Sequence, residues 1–189
     1  DAVNAPIGDP GPITPKHGVD PAGLNAFIPK YTDLSGDDAV ATRLEPMRLA
    51  APFEALRDRA EAHFERTGHR PAIFLATLGP LAEHTGRVDF ALNLFAAGGL
   101  EAKSPPVPPQ STSELAAAYR ASGCKIAVLC GSDTRYAEEA EPAAKALKEA
   151  GAQTLWLAGK HEADGIDRHI FMGCDVVHEL TMALTELGI

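Results

Sequence analysis

Two short stretches hold the residues that could do chemistry. TLGPLAEHTGR (77–87) contains Glu83 and His84, and CGSDTR (130–135) contains Cys130, Ser132 and Asp133. An imidazole in such a loop could ligate a metal if a carboxylate or carbonyl oriented its second ring nitrogen. Glu83 is adjacent to His84, but consecutive side chains on extended backbone point apart. None of the other six histidines shows a ligand-pair spacing with His84, which therefore reads as a solvated loop residue. Ser132 lacks the G-x-S-x-G frame of a hydrolase nucleophile, and no histidine is evidently placed to activate it. Ser132 and Asp133 read instead as helix-capping residues. Asp133 sits where a receiver domain keeps its phosphoryl acceptor, yet the acids needed after the first strand reduce to Glu83. Gly79 and Gly86 do not make G-x-G-x-x-G, and no Walker signature is present. His161 and His178 read as solvated, Trp156 as core and Asp175 as a helix cap. On this reading no residue is assigned as catalytic, cofactor-binding or metal-ligating.

The elements that would position these loops follow from periodicity. PAIFLATL (71–78), CKIAVLC (124–130) and AQTLWLA (152–158) are short continuous apolar runs of the kind that form central parallel strands. LEAKS (100–104) and RHIFM (168–172) add two weaker strands, the latter at an edge. A helix is expected from Thr85 or Gly86, with Val88, Ala91, Leu92 and Phe95 on one face. STSE (111–114) is a capping box that starts a helix ending near Ser122 and Gly123. GSDT opens the next helix, with Ala140, Ala144 and Leu147 inward, and GKHEADGID (159–167) takes the place of a fourth helix in the alternation. Asp175 caps the last helix, whose Val176, Val177, Leu180, Leu184 and Leu187 face inward. Alternation of this kind predicts an α/β, flavodoxin-like, doubly wound five-stranded parallel sheet of order 2-1-3-4-5. Both chemistry-bearing stretches then meet at the switch point, beyond the carboxyl ends of strands 1 and 3.

Three regions are expected: a Pro/Gly-rich extended arm or linker over 1–46, a linker helix within 47–69, and the α/β domain over 70–189. The helix covers Ala51 to Thr67, with Pro52 in its first turn and Gly68 as left-handed cap. Phe53, Leu56, Ala60 and Phe64 form its apolar stripe, which must pack on the domain or on another subunit. A net charge of −9 gives nothing to attract a polyanion, and no basic cluster with interleaved aromatics offsets it. No apolar run is long enough to cross a bilayer, and the first residues lack the pattern of a secretory signal. Cys124, Cys130 and Cys174 make no zinc-like spacing. Cys124 and Cys130 would lie about 20 Å apart along one strand. Reduced, buried cysteines in a cytoplasmic protein are the expectation.

AAPFEALRDRAE, RPAIFLATLGPLAEHTGR, VDFALNLFAAGG, KIAVLCGSDTRYAEEA and FMGCDVV together resemble the carboxy-terminal region of the methylmalonyl-CoA mutase family. The likeness covers roughly residues 48–189 and is to the small subunit of the bacterial two-chain enzyme. It implies a cobalamin-binding type of fold. In catalytic relatives a D-x-H-x-x-G loop places a histidine below cobalt, and the cofactor's tail is buried in the sheet-end cleft. Here the aspartate position is Leu81, the histidine position is Glu83 and the glycine is Gly86, so His84 falls one residue late. CGS (130–132) stands for the family's S-x-L, and Gly159 and Lys160 for its paired glycines. These departures imply a chain that has lost the cofactor, with lysine bulk at the second glycine position. The resemblance further implies a non-catalytic structural role beside a homologous large subunit. That partner would carry adenosylcobalamin and interconvert (R)-methylmalonyl-CoA and succinyl-CoA. Because a barrel domain needs about 250 residues, the chain is expected to be a fragment or a separately encoded domain. Two alternatives stay open: cobalamin still held through His84 or a shifted register, and a free-standing domain for another small ligand.

Overall fold

A computed structural model describes residues 49–189; the arm expected over 1–46 lies outside the described residues. In chain order the elements are α1 (Ala51–Thr67), β1 (Ala72–Thr77), α2 (Leu81–Ala97), β2 (Glu101–Lys103) and α3 (Thr112–Ser122). They continue with β3 (Ile126–Cys130), α4 (Asp133–Glu149), β4 (Thr154–Ala158), β5 (Arg168–Ile170) and α5 (Val176–Leu187). The five strands form one parallel sheet of order β2-β1-β3-β4-β5, as the alternation of apolar runs and helical stripes requires.

Side-chain alternation along the strands divides the core in two. Ile73, Leu75, Val128, Trp156 and Ile170 face α1, α2 and α5. Phe74, Ala76, Leu129, Leu155 and Leu157 face α3 and α4. The lead-in helix belongs to the first of these layers. Leu56 and Ala60 are buried there, and Gly99, at φ +80°, lets Ala60 approach to where a Cβ would lie at 2.9 Å. Arg57 Nε donates to the carbonyl of Ala97 at 3.0 Å, tying the same helix to the end of α2. Phe64 departs from the expected stripe. It is 36% exposed with the Arg70 guanidinium 4.8 Å above its ring, because the core layer ends one turn before it.

The helix termini follow local chemistry. Gly68 caps α1 at φ +74°, Gly123 caps α3 at φ +68°, and Asp175 accepts the His178 N–H at 3.0 Å to start α5. Ser111 Oγ accepts the Glu114 N–H at 3.2 Å, as a capping box requires. Its reciprocal arm reaches one residue further back than expected: Glu114 Oε2 accepts from the Gln110 N–H at 2.8 Å. β3 starts at Ile126, so Cys124 precedes the strand, and β5 ends at Ile170 rather than running to Met172.

The expected boundary that fails with most consequence for the site is the start of α2. Gly79, at φ +72°, turns the chain sharply out of β1, and Pro80 supplies an extended N-cap. The helix then begins at Leu81, four residues before Thr85. Leu-Ala-Glu is good helix-forming sequence, and Gly86 is tolerated mid-helix, where a Cβ would meet nothing within 4 Å. His84, Val88, Ala91 and Phe95 therefore make the inner face, while Leu92 turns outward at 43% exposure.

Candidate functional site

The exits of β1, β3 and β4 meet where the topology places a ligand cleft. His84 is not a solvated loop residue. It lies in the first turn of α2, 3% exposed, and its Nδ1–H donates to the Gly79 carbonyl at 3.1 Å. The early helix start is the reason: one helical step of about 100° separates adjacent side chains, so burying His84 turns Glu83 aside. Leu81 points to solvent at 67% exposure.

Glu83 faces the start of α4 and is held there. Arg135 Nε donates to Glu83 Oε2 at 2.8 Å and Ser132 Oγ donates to the same oxygen at 3.2 Å. The hydrogen bond from Arg135 holds the Glu83 carboxyl below its usual range, and the one from Ser132 acts in the same direction. Arg135 also donates to Glu139 Oε1 at 2.9 Å, one helical turn on. Ser132 Oγ in turn accepts the Arg135 N–H at 3.2 Å, so the expected cap is present and the hydroxyl's one proton is already given to Glu83. A Cβ on Gly79 would lie 2.8 Å from Arg135 Nε, which shows how closely the guanidinium packs on the β1 exit.

Arg87 closes the other side. Its Nη1 donates to the Ala158 carbonyl at 2.8 Å and its Nη2 to Asp133 Oδ1 at 3.0 Å, linking α2 to the exits of β4 and β3. Gly159 has φ +152°, and a Cβ there would meet Arg87 Nη1 at 2.6 Å. The glycine of the cofactor motif is thus retained, but the chain's own arginine fills the space it opens. Lys160, at the second glycine position, lines the same space beside Gly159. It is exposed, with Nζ 4.4 Å above the Phe171 ring.

Tyr136 ties the floor together. Its hydroxyl accepts the Gly131 N–H at 2.9 Å and lies within donating distance of the carbonyls of Leu129 (3.1 Å) and Ala158 (2.9 Å). Burial pushes its pKa upward, so the phenol stays neutral. His161 is half-buried against this ring, centroids 6.0 Å apart, rather than solvated. His178 is exposed as expected. Tyr136 shares a face with Ala140, Ala143 and Leu147, so extending the α4 stripe back one turn finds it. Arg135 is foreshadowed by the i,i+4 spacing to Glu139. Nothing in the sequence marks Arg87.

The arrangement therefore fits a corrinoid poorly. The ligand-histidine position is a carboxylate in an ion pair, the neighbouring imidazole faces inward, and the tail cleft is crossed by a salt-bridged arginine. Among the described residues no cluster of His, Cys, Asp and Glu could hold a metal ion. Cys130 is buried at the β3 exit, and desolvation pushes its thiol up to about 12. At neutral pH such a thiol holds on the order of a thousandfold less thiolate than an ordinary cysteine. Alkylation of the native chain, followed residue by residue by mass spectrometry, is expected to reach the half-buried Cys124 and Cys174 well before Cys130. Because the folded pKa lies above the unfolded one, the stability linked to Cys130 is complete below about 9 and declines as pH rises towards about 12. Equal alkylation rates at all three cysteines would contradict this burial.

No protein-family model matches the chain. Over 146 residues it is 48% identical to the methylmalonyl-CoA mutase small subunit of Streptomyces virginiae, a match covering 77% of this chain and 24% of that protein. It is 43% identical over 146 residues to the probable methylmalonyl-CoA mutase small subunit of Mycobacterium tuberculosis, covering 75% and 24%. With the methylmalonyl-CoA mutase small subunit of Porphyromonas gingivalis it shares 31% identity over 186 residues, covering 88% and 29%. The chain spans about a quarter of the length of these curated relatives.

Proposed function

The chain is homologous to methylmalonyl-CoA mutase small subunits, and from that premise we propose that it is a structural and assembly module of such a mutase. It binds no cobalamin and contributes no catalytic residue. A homologous large subunit carries adenosylcobalamin and interconverts (R)-methylmalonyl-CoA and succinyl-CoA in the cytoplasm. The observation that carries this reading is Arg87 in the Gly159 cradle, with Nη1 on the Ala158 carbonyl at 2.8 Å. A nucleotide tail and that guanidinium cannot share the space. Displacing the arginine would break a charge-assisted hydrogen bond and an ion pair before any cofactor contact formed, at a cost of about 1.5–3 kcal/mol.

The fold still has a use without the cofactor. It is a rigid sheet with both faces covered, and the ion pairs Arg135–Glu83 (2.8 Å) and Arg87–Asp133 (3.0 Å) lock the loops that a cofactor would otherwise order. The test is direct. Hydroxocobalamin mixed with the purified chain is expected to separate completely on desalting, leaving protein with no visible absorbance. Stoichiometric retention with a shifted spectrum would overturn the reading. Co-expression with the larger chain is expected to give a complex that survives gel filtration.

A further inference from the structure

A cavity of about 700 Å3 remains open at this same end of the sheet, between α2 and the exits of β4 and β5, and Arg87, Asp133 and Gly159 of the cofactor-tail cleft are part of its lining. Arg87 and Phe90, one turn apart on α2, form one wall; Lys160, Phe171 and Met172 form the other. Phe90 also packs against the core layer of α2, whereas Phe171 and Met172 belong to neither core layer. Met172 is 84% exposed, and Phe90 and Phe171 are only half-buried. Glycines at positive φ set the backbone around both contributing segments, Gly159 before Lys160 and Gly173 after Met172. The volume falls within the range of small-molecule sites.

The charges select the ligand class. The chain carries a net −9, yet this cavity has two cations, Arg87 and Lys160, against one carboxylate, Asp133. Asp133 is already engaged by Arg87 at 3.0 Å. Among the described residues Lys160 takes part in no ion pair; its ammonium rests over the Phe171 ring at 4.4 Å. A cation parked on an aromatic face at the mouth of an apolar cavity can exchange that weak contact for an anion without breaking a salt bridge. We propose that this cavity binds an organic monoanion with an apolar body, the anionic group on Lys160 and the body against Phe90, Phe171 and Met172. Such binding needs neither cobalamin nor the larger subunit, so it stands apart from the assembly role.

The probe is 8-anilinonaphthalene-1-sulfonate, titrated into the whole 189-residue chain and followed by its fluorescence. Saturable one-to-one enhancement is expected. Lys160→Gln should weaken it roughly tenfold, as loss of one charge-assisted contact would, and should remove most of its salt dependence. Lys160 is exposed, so thermal unfolding of this variant should match the parent and exclude misfolding as the cause. Phe171→Ala should weaken the dye further, and the uncharged N-phenyl-1-naphthylamine should bind equally to parent and Lys160→Gln. Octanoate and 1-naphthoate, as competitors, separate an acyl from an aromatic body; displacement by either supports the site. Absence of saturation, failure of both competitors, or a titration unchanged in both variants would overturn it.

Discussion

Trp156→Ala is expected to destabilise the domain by about 3–5 kcal/mol and to lower its thermal midpoint by roughly 10 °C or more. The side chain is fully buried in β4, hydrogen-bonded in register between Val128 of β3 and Arg168 of β5. Its ring packs on Phe95 of α2, centroids 5.6 Å apart, and the Arg168 guanidinium lies 5.4 Å from it. The indole N–H donates to Glu186 Oε2 at 3.2 Å, so the ring also positions α5. Alanine removes contacts to two helices at once and leaves a void that rigid strands cannot collapse. The parent's unfolding can be followed by this tryptophan, the only one in the chain; the variant needs far-ultraviolet circular dichroism. A loss below about 1 kcal/mol would mean that the layer between β4 and α2 is not close-packed.

The features legible in sequence are those that repeat. Continuous apolar runs mark the three central strands, and the alternation with helices yields the sheet order, because parallel neighbours need crossovers that few topologies allow. Ser111, Ser132, Asp175, Gly68 and Gly123 are readable as caps because each acts within its own turn. The start of α2 is harder. Pro80 gives no side-chain cap, and Gly86 suggests a break that the helix simply absorbs. That error of one helical turn changes the meaning of His84 from exposed loop residue to buried inner face. Yet 84, 88, 91 and 95 continue the inner stripe, so the periodicity held the correction.

The site is less legible for a different reason. Its closure depends on long side chains that reach across the fold: Arg87 spans to Ala158, 71 residues away, and Arg135 to Glu83, 52 residues away. An arginine on a half-buried helix face looks the same in sequence whether it meets water or a carbonyl. Substitution of the ligand motif could be read from Leu81 and Glu83. The reach of Arg87 into the vacated space required the positions of both ends of its bond to Ala158.

The second large effect separates two buried tyrosines. Tyr136→Phe is expected to cost about 2–4 kcal/mol, because buried groups left without partners each lose about 1–3 kcal/mol. Removing that hydroxyl strands the Gly131 N–H, which it accepts at 2.9 Å, and withdraws a donor from the carbonyls of Leu129 and Ala158. Those groups stand at the exits of β3 and β4, so the loss also loosens the backbone beneath Arg87. Tyr119→Phe removes the same atom from the other end of the core layer and should be neutral or slightly stabilising. The Tyr119 hydroxyl is buried without a hydrogen-bond partner, while its ring keeps an edge contact with Phe74 at 5.6 Å that phenylalanine preserves. Burial raises the pKa of both phenols, so neither ionises near neutrality and the contrast should not change between pH 6 and 8, on the order of the ordinary working range. Urea unfolding of the two variants side by side provides the check. If both lose stability equally, the hydroxyl of Tyr136 is not what holds the strand exits together, and the closed cleft must owe its rigidity to the arginine pairs alone.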